Sequence, residues 1–267
     1  MPSQMSSELE DFNLHEYTYS SGINDNNKSL TINKNNSFTK DLTSLTTYTI
    51  DSKDTVEVDD AISIEYTDNI PKIWVHISCP ANYIRLDSPL DIEARSKASS
   101  LYLTNNFSSM LPLELISSKL SINNKIPIRA ISVAIQIDND GSIINYEIFN
   151  SLVKSTYRLT YEDADELIDL EPKEDRNLAE LSRILETRKK WRKKNGSIEI
   201  NRNNSKLYFK DDKLCNEYIP QSRSRYLVEE SMILIGELIA IYARDNGIPL
   251  PFRCQDYTSK CEMFNSQ

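Results

Sequence analysis

The segment Thr49-Ile50-Asp51-Ser52-Lys53-Asp54-Thr55-Val56-Glu57-Val58-Asp59-Asp60-Ala61 places five carboxylates within ten residues. Residues 46–51 and 61–66 on either side are rich in β-forming side chains, so the pattern predicts an acidic loop between two strands. Like charges crowded on one loop repel each other, which favours a bound cation. Carboxylate oxygens suit Mg²⁺ or Mn²⁺, and such ions could support hydrolysis of a phosphodiester.

Charge density alone leaves other interpretations of this segment open. The first is an ordinary acidic turn that is simply exposed to water. A second, a calcium loop, is disfavoured because the glycine of the D-x-[DN]-x-[DN]-G pattern is missing and the spacing differs. The third is a metal-binding interaction protein that has no connection with RNA. The order of motifs along the rest of the chain must decide between them.

Outside this segment, hydrophobic periodicity and turn residues predict an α+β domain with a mixed, mainly antiparallel sheet and helices packed to one side. Alternation at Ile73, Val75 and Ile77 continues the sheet. The further predicted elements are a helix over 90–103 behind Ser88-Pro89, a hairpin of 130–137 and 142–149 around Asn139-Asp140-Gly141, a helix capped by Thr160 and Asp163, a helix over 175–194, a hairpin within 196–218 and a helix over 223–246.

Composition narrows the class of protein. The formal net charge of −9 and the pI near 4.9 argue against a protein that coats nucleic acid through bulk positive charge, but an acidic enzyme can still bind RNA locally. The four cysteines show no C-x-x-C spacing and no secretory leader is evident, which favours a reducing, cytoplasmic setting. No apolar run approaches the roughly 20 residues of a membrane span, so we expect no membrane insertion.

Ordered motifs along the chain resemble those of one family. Thr49-Ile50-Asp51 and Asp59-Asp60-Ala61 are followed by Ile73-Trp74-Val75-His76-Ile77. The later matching blocks are Ser100-Leu101-Tyr102-Leu103, Met110-Leu111-Pro112-Leu113-Glu114-Leu115, Arg158-Leu159-Thr160-Tyr161-Glu162 and Val228-Glu229-Glu230-Ser231-Met232. Together these motifs resemble the catalytic (RNB) domain of ribonuclease II and ribonuclease R. The resemblance implies a magnesium-dependent 3′→5′ exoribonuclease that hydrolyses single-stranded RNA to 5′-mononucleotides.

This resemblance also implies a domain organisation. We expect a polar, disordered segment over 1–44, a partial RNB-like domain over 45–253 and an atypical tail over 254–267. The family's downstream motif, whose arginine clamps the phosphate, does not occur before Gln267, so the domain is expected to be truncated. An RNA-binding fragment with impaired catalysis is therefore the alternative function. A monomer is the expected oligomeric state, with no preference for DNA.

Roles for the acidic residues follow from the resemblance position by position. Asp51, Asp59 and Asp60 match the metal-coordinating carboxylates, and Asp59 matches the one closest to the metal-bound water and the phosphate. Glu57 completes the predicted catalytic set at a position where the family usually has Asp. Its additional methylene would shift the position of its oxygens. The expected cofactor is Mg²⁺, with Mn²⁺ as the other candidate.

The resemblance further implies three RNA-contacting side chains. Tyr161 and Glu229 match positions that hold the 3′-terminal nucleotides and contact ribose, and Tyr102 matches an aromatic that stacks near the 3′ end. For Glu229 the alternative is a surface carboxylate on a helix, and for Tyr102 it is a core tyrosine.

A basic run at residues 188–194 supplies the remaining candidates for RNA binding. Lys190 and Arg192 could meet phosphates while Trp191 offers a stacking face. The alternative is a solvated face of a helix.

Overall fold

The computed structural model describes residues 39–67, 70–103, 106–123, 126–173, 175–199, 204–210 and 213–253. The strands are β1 (Lys40–Asp41), β2 (Thr47–Asp51), β3 (Asp60–Thr67), β4 (Ile70–Ser78), β5 (Leu101–Leu103), β6 (Asn106–Ser108), β7 (Ile128–Ile137), β8 (Ile143–Val153), β9 (Tyr157–Thr160), β10 (Asn204–Lys210) and β11 (Lys213–Ile219). The helices are α1 (Pro89–Lys97), α2 (Leu113–Leu115), which continues into a π-helical turn at Ile116–Leu120, α3 (Tyr161–Leu170), α4 (Asn177–Lys194) and α5 (Arg223–Asp245).

A seven-stranded sheet in the order β1-β8-β7-β4-β3-β2-β9 forms the centre of the domain. Its inner neighbours are antiparallel, whereas β1 pairs with β8 and β9 pairs with β2 in parallel. The pairs β5–β6 and β10–β11 form two separate hairpins. The predicted α+β class with a mixed, mainly antiparallel sheet is confirmed.

One face of the sheet is covered by α3, α4 and α5. Ile62, Val75 and Val133 from this face belong to the same buried cluster as Leu181 of α4 and Leu227 of α5. Their alternation along each strand and their spacing along each helix direct them to a shared core, as the periodicity predicts. Because each fully buried aliphatic side chain contributes about 1.5–3 kcal/mol, this layer is the principal source of stability.

The opposite face carries a buried ladder of polar side chains across five strands. Thr47 Oγ1 lies 2.8 Å from Ser63 Oγ, which lies 3.0 Å from His76 Nε2. His76 Nδ1 lies 2.6 Å from Ser132 Oγ, which lies 2.6 Å from Ser151 Oγ. All five side chains are at most 1% exposed. His76 is therefore a structural histidine between two serines.

Burial of His76 predicts a pH dependence of stability. Burial lowers the pKa of His76 to about 3, so the folded protein holds the imidazole neutral while the unfolded chain protonates near pH 6.5. The free energy of unfolding is therefore unaffected by the titration of His76 above pH 6.5, and it decreases as the pH falls toward 3. At pH 5 the expected loss is about 2 kcal/mol, measured by urea unfolding at pH 7 and pH 5.

A His76→Gln variant serves as the control, because it removes this titration while other groups still titrate. The difference between the two proteins isolates the contribution of His76 even if the variant is less stable. Equal pH dependence in both proteins would contradict the assignment.

Two boundaries differ from the predicted ones. The helix predicted over 90–103 ends at Lys97, because Ala98 adopts φ +62 and Leu101–Leu103 forms β5 instead. The domain begins before residue 45, since Lys40–Asp41 pairs with β8 and Leu42 is buried. Residues 1–38 of the predicted disordered segment and the tail over 254–267 lie outside the described residues.

The remaining elements agree with the prediction. In particular, α3 begins with the predicted capping box, in which the Thr160 and Asp163 side chains each bond to the other's backbone amide. Within the described ranges, no helix is both long enough and apolar enough to cross a membrane.

Candidate active site

The acidic segment forms the connection between two neighbouring antiparallel strands. Asp51 is the last residue of β2 and Asp60 is the first residue of β3, so the loop over 52–59 returns the chain to the same edge of the sheet. The parallel strand β9 pairs Thr160 with Asp51, which brings the start of α3 to this edge. The predicted placement of the carboxylates on a loop between two strands is confirmed.

Backbone hydrogen bonds fix the second half of this loop. The amide of Ile122 donates to Val58 O at 2.7 Å, and the amide of Ser78 donates to Asp59 O at 2.8 Å. Arg158 Nη2 donates to Thr55 O at 2.9 Å. Three different parts of the chain therefore hold the loop, which preorganises the carboxylates before any ligand binds.

Burial and neighbouring negative charges raise the pKa of three carboxylates in the cluster. Burial and the charge of Asp59 raise the pKa of Asp51 to about 6, while Arg158 acts in the opposite direction. Burial and the charges of Asp51 and Asp59 raise the pKa of Asp60 to about 7. Partial burial and the charge of Glu57 also raise the pKa of Asp59, although part of its side chain is exposed to solvent. The cluster therefore carries repulsion that a cation would relieve.

The donor set fits a hard cation only in part. Asp51 Oδ2 is buried and has no hydrogen-bond partner, so this oxygen is available to a metal ion. In the part of the chain that the structure describes, no three His, Cys, Asp or Glu side chains converge into a complete metal site. Mg²⁺ commonly binds one or two carboxylates and completes its shell with water and substrate phosphate. Asp51 and Asp60 could supply such carboxylates, with Asp59 beside them.

Glu57 is held by the neighbouring hairpin rather than left free. Its Oε1 accepts hydrogen bonds from Ser100 Oγ at 2.8 Å and from Ser109 Oγ at 3.0 Å. Ser100 Oγ in turn accepts from the amide of Met110. These bonds tie the acidic loop to the β5–β6 region. A direct catalytic role for Glu57 stays a prediction.

Tyr102 lies beside the acidic cluster on β5. It is 56% exposed, which excludes the alternative of a core tyrosine. Its ring packs against Phe107 of β6 with centroids 4.5 Å apart. Partial burial and the charges of Glu57, Asp59 and Asp51 raise the pKa of Tyr102, which places its hydroxyl near those carboxylates. An exposed tyrosine supported by a phenylalanine ring at this position is compatible with the predicted stacking of a base.

Tyr161 lies on the other side of the cluster, at the first position of α3. Burial and the charge of Asp51 raise its pKa, and Arg225 lowers it. The guanidinium carbon of Arg225 lies 3.9 Å from the centroid of the Tyr161 ring. Sequence reasoning missed Arg225. The available signal was its position four residues before Glu229, which puts both side chains on one face of α5.

Glu229 is exposed and lies one helical turn beyond Arg225. It lines a small cavity together with Arg192 and Tyr226, between α4 and α5. The structure thus places Arg225 beside Tyr161 and Glu229 one helical turn further along α5. A role for Glu229 in holding ribose stays a prediction, and this arrangement is compatible with it.

The basic run in α4 is largely engaged in ion pairs within the protein. Lys190 pairs with Glu186 at 2.9 Å, and Arg192 pairs with Glu230 at 2.6 Å. Trp191 lies with its ring centroid 4.3 Å from the guanidinium carbon of Arg188. Their proposed RNA contacts stay predictions, but much of their charge is neutralised by neighbouring carboxylates.

Comparison with known proteins places this geometry in a family. The RNB domain profile matches residues 39–266. An uncharacterised ribonuclease of Synechocystis sp. is 38% identical over 217 residues, which are 80% of this chain and 33% of that protein. The chloroplastic/mitochondrial ribonuclease II of Arabidopsis thaliana is 34% identical over 222 residues, covering 80% and 28%. This chain thus spans about one third of the length of these curated relatives.

The fold has a counterpart among solved structures. Mycoplasma genitalium RNase R, solved in complex with ribose-methylated single-stranded RNA, superposes with a TM-score of 0.76 at 23% identity. The match covers 82% of this chain and 35% of that one. Family profile, relatives and fold agree with the ordered motifs from Thr49 to Met232, so the chain belongs to the RNB domain family of ribonuclease II and ribonuclease R.

Proposed function

We propose that the chain is part of a 3′→5′ exoribonuclease that hydrolyses single-stranded RNA to 5′-mononucleotides with the help of Mg²⁺. The observation that carries this proposal is the cluster of Asp51, Asp59 and Asp60, in which burial and neighbouring carboxylates raise the pKa of each side chain and a buried Asp51 oxygen lacks a partner. A bound cation would relieve the repulsion between these carboxylates and give the Asp51 oxygen a partner, and the ribonuclease relatives indicate RNA as the substrate.

The residues around the cluster would bind the metal ion, orient the attacking water and stack on the RNA bases. Asp51 and Asp60 would hold Mg²⁺, which when bound activates water and offsets the negative charge that develops on the phosphate. Asp59, which reaches solvent, is placed to orient the attacking water or to accept its proton. Tyr102 and Phe107 offer a stacking surface beside the cluster, and stacking on an aromatic ring tolerates any base.

An Asp59→Asn variant tests the proposal. It keeps the size of the side chain but removes the charge, and because Asp59 is exposed we expect folding to be retained. The rate of mononucleotide release from 5′-labelled and 3′-labelled RNA with Mg²⁺ should fall to less than about one hundredth of the wild-type rate. The matched control is Asp138→Asn, an exposed aspartate in the β7–β8 turn, which should keep the wild-type rate. Equal rates for wild type and Asp59→Asn would refute the proposal.

A second candidate is an RNA-binding fragment with impaired catalysis. It is favoured by the absence of a complete donor set among the described residues and by the engagement of Glu57 with Ser100 and Ser109. It predicts that wild-type protein retains RNA in the presence of Mg²⁺ without shortening it. Shortening that disappears in Asp59→Asn would exclude this candidate.

A further inference from the structure

Arg225 occupies an unusual position at the edge of the candidate active site. It lies in the first turn of α5, is half-buried and covers the ring of Tyr161 at 3.9 Å. Stacking of a guanidinium on a tyrosine face leaves the N–H groups at its edges free to bond in the plane of the group. The geometry therefore leaves these donors uncovered beside Tyr161, whose pKa is raised by the charge of Asp51.

The pair of Arg225 and Tyr161 is held firmly by its neighbours. Ser222 caps α5 by accepting from the amide of Arg225, and Ser224 Oγ donates to Tyr161 O at 3.0 Å. The amide of Ser224 also donates to Asp165 Oδ1 at 2.8 Å. These bonds join the first turn of α5 to the first turns of α3. The stacked guanidinium is thus preorganised, which reduces the entropy lost when it binds a ligand.

Other arginines on α4 and α5 are already engaged by carboxylates. Arg223 pairs with Asp169 at 2.6 Å, Arg192 pairs with Glu230 at 2.6 Å and Arg188 pairs with Glu237 at 2.7 Å. Among the residues that the structure describes, the side chain of Arg225 makes neither an ion pair nor a hydrogen bond, and its contact is the stacking on Tyr161. The donors of this half-buried guanidinium are therefore open to an anionic ligand.

We propose that Arg225 binds a backbone phosphate of the RNA strand immediately beside the carboxylate cluster. This inference rests on the proposed function and identifies a residue that neither the motif resemblance nor the acidic cluster assigns. RNA phosphates approaching Asp51 and Asp60 meet negative charge, and a fixed guanidinium offsets part of it. Glu229, one turn further along the same face of α5, would then lie along the path of the strand.

The test replaces single phosphates of the RNA by neutral methylphosphonates. A fluorescent oligoadenylate is titrated with protein in EDTA, so that binding is measured without cleavage. We expect Arg225→Gln to weaken binding about tenfold, as for a charge-assisted hydrogen bond, and Arg223→Gln to change it less than about twofold. At one linkage near the 3′ end, the methylphosphonate should weaken binding to wild type about tenfold and have no further effect on Arg225→Gln.

The outcomes separate this inference from the proposed function. Wild-type protein that fails to bind the oligonucleotide in EDTA would overturn the role of Arg225, whereas the proposed function would still be decided by the RNA hydrolysis rate of the Asp59→Asn variant with Mg²⁺. Wild-type protein that binds it, together with Arg225→Gln behaving like Arg223→Gln or with every methylphosphonate acting equally on both proteins, would overturn the role of Arg225 alone. An Arg225→Lys variant, which keeps the charge without the planar fork, should bind between the two. The linkage-specific effect distinguishes phosphate binding from a structural role of Arg225, since misplacement of Tyr161 would not single out one phosphate.

Discussion

Substitution of Gly141 by alanine is expected to destabilise the fold by about 3 kcal/mol or more. Gly141 ends the turn between β7 and β8 with φ +94, a region that residues with a side chain rarely adopt. An added Cβ would lie 2.6 Å from Thr187 O and 2.7 Å from Trp191 Cβ, both on α4. Because Arg188 Nη1 donates to Gly141 O at 2.9 Å, displacement of the turn would also break this buried bond. Urea unfolding of the two proteins measures the difference.

Two other glycines, Gly247 and Gly236, provide matched controls. Gly247 has φ +66 but no atom within 4 Å of an added Cβ, so Gly247→Ala should cost only about 1 kcal/mol. Gly236 lies inside α5 with the same open space, and Gly236→Ala should stabilise the protein by up to about 1 kcal/mol. Equal effects at Gly141 and Gly247 would show that the close approach of the turn to α4 contributes nothing to stability.

Local signals predicted much of this fold. The Asn139-Asp140-Gly141 turn, the helix start capped by Thr160 and Asp163 and the helix over 223–246 all depend on residues close together in sequence, and all three are confirmed. The parallel edge strands β1 and β9 escaped prediction because they have two and four residues and are defined by partners about one hundred positions away. A short segment carries too little periodicity to show such pairing.

The same distinction applies to the candidate site. The sequence predicts that Asp51 and Asp60 meet, because a single loop joins the strands that carry them. It does not reveal that Ser100 and Ser109 would engage Glu57, or that Arg225 would stack on Tyr161, since these contacts join separate elements. Sequence motifs can identify residues that face a substrate. The residues that hold them in place are identified only from the three-dimensional structure.

The basic run of α4 shows that a local pattern of charge does not reveal ion pairs with residues distant in sequence. From the sequence alone, residues 188–194 present cations that could follow an RNA strand. In the structure, Arg188 and Arg192 pair with Glu237 and Glu230, which lie more than thirty positions further along the chain. These pairs join α4 to α5 and thereby position the helix that carries Arg225 and Glu229. The run is therefore expected to contribute to stability at least as much as to binding.

Replacement of Arg192 by methionine tests this structural role and should destabilise the protein by about 3–5 kcal/mol. Arg192 donates from Nε and Nη2 to the two oxygens of Glu230 at 2.6 and 2.8 Å. Because the side chain of Glu230 is only 3% exposed, loss of Arg192 leaves a buried carboxylate without its partner. Nearby Lys189 and Lys193 cannot readily replace it, since both already pair with Glu199.

The double variant Arg192→Met/Glu230→Met provides the control in a double-mutant cycle. Methionine has a similar volume and no charge at either position, so the pair can pack as apolar side chains, and the double variant should recover at least half of the lost stability. An Arg192→Met variant as stable as wild type would show that water or another cation satisfies the Glu230 carboxylate. The double variant could instead lose more free energy of unfolding than the two single variants lose together. That result would show that the ion pair joins α4 and α5 through packing of its side chains rather than through neutralisation of Glu230.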